Sequence, residues 1–563
     1  MKAHSGQGRK KPFSAKQKKA QLQEKRERKR QERKQEEEEE EEEIQRQQEQ
    51  LEQLHGLSRP VEFVPENKTK KDPEEASKDT AKGLSKEIEE LIYASSSKGT
   101  DATDPRRLVS AFRKLTPQDI SEGIRQSQQP LEPTLRGKVQ VSVETVYPKI
   151  LPFPKRPPWT NKESKAKLED RERRFFRDWL TQLYTDYDPK ELSHFEHNLE
   201  VWRQLWRVLE MSDLLLFVVD IRHPLLHFPP ALYTHVCKDL GKPLVIVLNK
   251  ADLVAEETTL AWKRYLENRL PGVHVASFAS FTQGGQIIDD SQLESLKRRF
   301  KSAKLKKRLA QGATGVLEAC RGSIEGGKDS EKWRNQPWWG PTWSEAMDLA
   351  REREGKSQGE GGSESEEEES KEKDKGGREE EREEEREEIL QYLTIGMIGH
   401  PNVGKSSLIN RMMGRTVVSS SRTPGHTKHF QTLYLTRHLR LCDGPGLVFP
   451  SLLPRPLQIL SGMYNLAQVQ EPYTSVQYLA ERVPIHALLG LGKQDEVWSG
   501  YDICNAYAID QGMMTAKNSR PDVWRAANRI LRLANDGRLL LAFHPPEDQI
   551  PSSVIVEEEG ETS

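Results

Sequence analysis

The stretch Gly399-His400-Pro401-Asn402-Val403-Gly404-Lys405-Ser406 sets two glycines around a four-residue loop and follows them with a lysine and a hydroxyl. An apolar run, Leu393–Ile398, precedes it, and Ser406–Met413, with helical apolar spacing, follows. In a strand–loop–helix setting the loop's backbone N–H groups and the helix N-terminus form a nest for an anion. Lys405 then pairs with the outer phosphates of a nucleotide, and Ser406, with Ser407 beside it, offers a hydroxyl to Mg²⁺. The competing reading, a chance glycine loop, is disfavoured by the flanking strand and helix patterns.

A second candidate, Asp443-Gly444-Pro445-Gly446-Leu447, starts 37 residues after Ser406, directly behind the apolar Leu439–Cys442. An aspartate at a strand end can hold Mg²⁺ through water while a following glycine N–H senses the terminal phosphate. Alone, the same residues are merely a turn. A third candidate, Asn249-Lys250-Ala251-Asp252, closes the apolar run Pro243–Leu248. The Asp252 carboxylate can accept from the ring N1–H and the exocyclic amine of guanine, a donor pair that adenine lacks. The Lys250 stem would cover the base and Asn249 would brace the loop. The alternative for Asp252 is a helix cap, but strand carboxyl ends are where open α/β sheets bind ligands.

The elements that must carry these loops are legible as short continuous apolar runs. Leu214–Asp220, Pro243–Leu248, Val273–Phe278 and Leu393–Ile398 have the length and composition of buried parallel strands, separated by helical patterns. Helices are expected over Ser164–Thr185 and Asn198–Glu210, and after Pro450 over Leu457–Ala467, Ser475–Arg482 and Pro521–Asn535. Val139–Val146 alternates like a strand, and Leu151–Trp159 is a proline-rich extended linker. The expected fold class is α/β: a parallel-rich sheet flanked by helices, with a helical C-terminal region and disordered charged arms.

Composition limits how much of the chain folds. Of 563 residues 31% are charged and 34% apolar, too little apolar surface to offset ordering entropy throughout. The net charge of −1 conceals segregation: residues 1–35 hold fourteen Lys/Arg against three Glu, and Glu36–Glu43 is unbroken. Residues 297–308 hold eight Lys/Arg, whereas Arg351–Leu390 holds eighteen acids against nine bases. Two readings of the basic segments stay open, a solvated arm or a nuclear or nucleolar address with RNA contacts. The four cysteines have no disulfide or metal-ligand spacing, no run of about 18 apolar residues exists, and no apolar segment follows the basic N-terminus. An intracellular, soluble protein without a membrane partner is expected.

The order of the motifs is unusual. Asn249–Asp252 precedes the phosphate loop by about 150 residues, the reverse of ordinary GTPases. Joining the usual termini and opening the chain elsewhere leaves such a sheet intact. Expected boundaries are 1–138, a charged and largely disordered N-terminal region; 139–310, the first part of the permuted nucleotide-binding domain; and 311–390, an acidic disordered insert. The second part of that domain follows at 391–455, then a helical domain at 456–546 and an acidic tail at 547–563.

On these motifs the chain resembles the circularly permuted GTPase family of ribosome-assembly factors, which includes the large-subunit export GTPase and nucleostemin. Asp220-Ile221-Arg222-His223-Pro224 resembles the family's DARxP element, and Asp443–Leu447 its DCPGL element, with Gly444 in place of the commoner cysteine. Thr423–Thr427 with Lys428–Thr432 resembles its switch I, which implies Thr427 as a second Mg²⁺ ligand. Phe153–Trp159 and Gly537–Pro546 also match, so the resemblance covers about residues 139–546. Ser277–Ser280 takes the place of the base-closing loop, though a plain loop fits equally well. The resemblance implies GTP hydrolysis, with Lys405, Thr427 and Gly446 at the reacting phosphate and preribosomal particles or RNA as partners. Protein partners of the charged arms, and a nuclear or nucleolar location with shuttling to the cytoplasm, are further expectations. Leu447 stands where Ras-like enzymes carry the glutamine that orients water, so intrinsic hydrolysis should be slow, on a scale of roughly 10⁻⁴–10⁻³ s⁻¹. Relatives with an apolar residue there often use a monovalent cation, and Asn402 matches a potassium-ligating asparagine. Two functional classes remain: a GTPase switch, or a nucleotide-loaded scaffold whose hydrolysis is incidental.

Overall fold

A computed structural model describes residues 115–132, 146–147, 149–160, 162–279, 312–327, 330–355, 392–415, 417–418, 430–492, 497–515 and 520–546. The first element, α1 (Pro117–Ser127), starts where chemistry dictates: Thr116 and Asp119 cap each other's backbone N–H groups and Pro117 fills the first helical position. α2 (Lys165–Asp186) and α3 (Leu199–Met211) follow, the latter opened by Asn198, whose side chain accepts from Glu200 N at 3.0 Å. Next come β1 (Leu214–Asp220), β2 (Leu244–Asn249), α4 (Glu256–Arg269) and β3 (His274–Phe278). Two helices, α5 (Ala313–Glu325) and α6 (Trp339–Gly355), precede β4 (Leu393–Ile398) and α7 (Lys405–Met412). After β5 (Gln431–Tyr434) and β6 (Leu439–Asp443) the chain is helical: α8 (Arg455–Leu460), α9 (Tyr473–Ala480), α10 (Gly500–Asp510) and α11 (Val523–Asn535).

The six strands form one sheet in the order β3-β2-β1-β4-β6-β5, parallel except for β5 against β6. Strands from the first half of the chain make one side and those from the second half the other. They meet at a seam where Leu214–Phe217 pair with Ile395–Ile398. Side chains alternate between two buried faces, as the pleat requires. Leu215, Phe217, Val219, Leu244, Ile246 and Leu248 share a core with α3, α4 and the C-terminal helices. Leu214, Leu216, Val218, Val245, Val247, Ile395 and Met397 face α5, α6 and α7.

Three expectations need correction. The expected disordered insert at 311–390 is ordered at its start: α5 and α6 bury Val316, Leu317, Cys320, Trp339 and Trp343 against the sheet. Acid-rich sequence from Arg351 onward masks the four tryptophans just before it, Trp333, Trp338, Trp339 and Trp343. Part of the N-terminal region, residues 115–132, is also ordered. There α1 packs on α9 and α10, and Leu131 N donates to Trp498 O at 2.8 Å. Finally, the helix expected over Leu457–Ala467 stops at Leu460, because Gly462 turns into the left-handed region (φ +79°). Of the Val139–Val146 strand only Val146 is among the described residues, and it is helical. No helix among the described residues is long and apolar enough to cross a membrane.

Candidate nucleotide-binding site

The phosphate loop joins β4 to α7 through a backbone that ordinary residues resist. Gly399 (φ 147°), Asn402 (φ 58°) and Gly404 (φ 98°) all take positive φ. Gly404 is also required by space, since a Cβ there would lie 2.2 Å from Asn249 Nδ2. That contact is the brace between the two recognition loops: Asn249 Nδ2 donates to Val403 O at 2.6 Å, and its own Oδ1 accepts from Lys250 N at 2.8 Å. Residues 154 apart in the chain are thereby fixed side by side. His400, Pro401 and Val403 are buried, while Ser406 and Ser407 are half-buried on the first turn of α7.

Lys405 is buried and donates to Gly399 O (3.0 Å) and His400 O (2.9 Å). Burial pushes its ammonium down to about 8, and the Asp443 carboxylate opposes that shift. Asp443, at the end of β6, is pushed up to about 6 by burial, against the pull of Lys405 and Ser406. Ser406 Oγ lies 3.4 Å from Asp443 Oδ2, and Asp443 Oδ1 is buried without a hydrogen-bond partner. A hydroxyl and a carboxylate with one oxygen unsatisfied form the hard donor set that Mg²⁺ prefers. Among the residues following Asp443, Gly446 lies so close to the loop that a Cβ would meet Pro401 Cα at 2.7 Å and Lys405 Nζ at 3.2 Å. Pro445 is half-buried beside it, and at Gly444 a Cβ would come within 3.2 Å of Met397 O. Leu447 N donates to Gly399 O at 3.3 Å while its side chain is buried in the core with Val448 and Phe449.

On the base side, Lys250 turns through φ 61° and Ala251–Leu253 form one 3₁₀ turn. Asp252 lies in that turn; α4 begins later, behind Ala255, so Asp252 is not its cap. Lys250 Nζ donates to Asp220 Oδ2 at 2.8 Å. Arg222 forks onto the same carboxylate, with Nε 3.0 Å from Oδ1 and Nη2 2.8 Å from Oδ2. Burial alone would raise Asp220, but Arg222 and Lys250 together hold it well below the usual carboxylate range. Ser277 is exposed on β3 and Ala279 is buried after it; Ser280, Thr427 and the rest of 423–429 lie outside the described residues.

Sequence reasoning assigned no role to three further contacts. Asn402 Nδ2 donates to Gly462 O at 3.1 Å, and buried His227 reaches Ser461 O at 3.2 Å, so the turn after α8 rests on the phosphate loop. Arg222 likewise reaches the end of α11. The only local signal was the Asp220–Arg222 pair at a strand end; the acceptors are carbonyls, which carry no sequence mark.

Against known proteins, the family model of a 50S ribosome-binding GTPase matches residues 394–483. Human guanine nucleotide-binding protein-like 1 is 44% identical over 555 residues, which cover 96% of this chain and 86% of the human one. The bovine large subunit GTPase 1 homolog is 30% identical over 444 residues, 71% of this chain and 68% of that one. Among solved structures, GNP-bound YlqF from T. maritima aligns with a TM-score of 0.33 at 14% identity, over 61% of this chain and 97% of that one.

Proposed function

The chain belongs to the guanine nucleotide-binding protein-like 1 family of circularly permuted GTPases, and from that premise we propose that it is a slow, Mg²⁺-dependent GTP switch acting on ribonucleoprotein particles. The observation that carries the reading is the phosphate-side pair. Asp443 and Lys405 are both buried, both shifted toward their neutral forms, and Asp443 keeps an oxygen without a partner. Such a pair is costly until an anion and a cation complete it.

In this reading Ser406 and Thr427 would offer their hydroxyls to Mg²⁺, and Asp443 would hold it through water. When bound, the ion neutralises charge between the outer phosphates. Lys405 exchanges two loop carbonyls for phosphate oxygens, and the phosphate charge keeps its ammonium protonated. The Gly446 N–H senses the terminal phosphate, and Asp252 accepts from guanine. Leu447 offers no group to orient water, which supports hydrolysis on the slow scale of roughly 10⁻⁴–10⁻³ s⁻¹. Asn402 Oδ1 would contribute to a potassium ion, its Nδ2 being engaged by Gly462 O. Loss of the terminal phosphate would release the 443–447 turn and, through Gly462, the turn after α8 at the edge of the helical C-terminal region.

The kind of particle follows the relatives' names and the basic segments: preribosomal particles, reached through residues 1–35 and 297–308, in the nucleus or nucleolus with passage to the cytoplasm. Titration with GDP, a GTP analogue and an ATP analogue, in potassium and in sodium, tests the site. Nucleotide-dependent co-sedimentation with large-subunit precursors tests the partner. Guanine selectivity lost in Lys405→Ala supports the switch; equal affinity for adenine and guanine sinks it. The buried Leu447 also suits a second reading, a nucleotide-loaded scaffold whose partner capture is indifferent to Lys405→Ala.

A further inference from the structure

Arg222 is almost completely buried and satisfied from two sides. On one side it holds the Asp220 carboxylate with two nitrogens. On the other, Nη1 donates to Ala534 O at 2.9 Å and Nη2 to Asn535 O at 3.2 Å, the last carbonyls of α11, more than 300 residues away. A helix C-terminus carries partial negative charge, so the guanidinium is held electrostatically as well as by hydrogen bonds. A second connection runs alongside. Phe543 N donates to Arg222 O at 2.9 Å, and Trp262 Nε1, on the helix that follows the base loop, donates to Phe543 O at 2.9 Å.

The charge count gives this cluster its consequence. Asp220 is shared by Arg222 and Lys250, two positive charges on one buried carboxylate. The carbonyls ending α11 supply the remaining acceptors of Arg222. Asp252 also faces both cations electrostatically. If α11 moves away, the guanidinium loses its two carbonyl acceptors and leans harder on Asp220, in competition with Lys250. Lys250 stands in the loop assigned to guanine. We propose that Arg222 is a positioning residue that couples occupancy of the guanine loop to docking of α11, with Asp220 and Lys250 as the intermediate groups. The coupling is reciprocal: a bound base that fixes Lys250 favours the docked helix, and the docked helix favours the base. It runs through the base side of the site, so GDP engages it as well as GTP.

The inference rests on the guanine-binding reading of Asn249–Asp252, and the experiment separates the two. Hydrogen exchange of the full-length protein is followed with and without GDP, in the wild type and in Arg222→Lys, which keeps the charge and loses the planar fork. In the wild type GDP is expected to slow exchange at the α11 C-terminus, residues 533–539, about tenfold more than in α2. In Arg222→Lys that extra protection disappears and GDP affinity falls by about tenfold, a coupling of ordinary size. Equal protection of α11 and α2 in the wild type, with GDP bound, overturns the coupling and leaves the guanine reading standing. Retention of the extra protection in Arg222→Lys overturns it too, and failure of GDP to bind the wild type overturns both. Should Arg222→Lys not fold, the wild-type comparison alone decides.

Discussion

The two halves of the candidate site solve opposite problems. On the phosphate side, Asp443 has a buried oxygen without a partner and Lys405 is shifted toward its neutral form. On the base side, Asp220, Arg222, Lys250 and Asn249 are paired in a continuous network. Both regions bury charge at comparable depth. The first is built to be completed by a ligand, and the second is completed by the protein's own distant carbonyls. A recognition site can thus be strained where chemistry happens and rigid where identity is read.

The largest test of this contrast is Lys405→Ala. Charge-assisted hydrogen bonds contribute about 1.5–3 kcal/mol each, so losing two to phosphate should cost about 10²-fold or more in GDP affinity. An unchanged dissociation constant in a fluorescence titration would break the contrast at its strained end. Next, Asp252→Asn should weaken guanine binding by about 10²-fold, because two donors of the base lose an ionised acceptor. Retained guanine preference over adenine would remove Asp252 from recognition.

A smaller effect concerns Asp443 without ligand. Its carboxyl is raised from an ordinary 3.8 to about 6, so the fold favours the protonated form. The contribution of Asp443 to ligand-free stability is therefore full below about pH 4 and declines as pH rises through about 6, by about 3 kcal/mol in all. Asp443→Asn should flatten that decline in thermal melts, raise the ligand-free melting temperature at pH 7, and abolish the Mg²⁺ dependence of nucleotide binding. The melting-temperature gain of Asp443→Asn over the wild type should grow between pH 4 and 6; a gain that does not change with pH would contradict the sign. Smallest is Leu447→Gln. With the side chain buried in the core, the amide should cost about 1–3 kcal/mol in denaturant melts without accelerating single-turnover hydrolysis. A faster rate would mean that position 447 reaches the attacking water.

Legibility followed the range of the interactions. β1 and β4 have the bounds their apolar runs suggested, because strands buried on both faces write their whole length into the sequence. β5 left no such mark: it is an edge strand whose Gln431, Thr432 and Tyr434 are exposed. The α5–α6 region was obscured because acid-rich sequence from Arg351 outweighed buried tryptophans immediately upstream. Within the site, the phosphate loop was readable from eight consecutive residues. The brace from Asn249 was foreseen as a role but not as a partner, since Val403 contributes only its carbonyl. Arg222 with α11, and Asn402 with Gly462, join side chains to backbone oxygens far along the chain, where no residue type betrays the acceptor.

The seam between β1 and β4 has a consequence for how the molecule is made. Asp213 and Thr394, which bond across it, are 181 positions apart in the chain. At a synthesis rate of roughly 5–20 residues per second, the apolar β1 edge waits roughly 10–40 s for its neighbour. Any half-sheet of β1–β3 formed in that interval would leave the backbone groups of β1 unpaired along one side. The permuted order that places base recognition first thus sets the two strands of the seam far apart in time as well as in sequence.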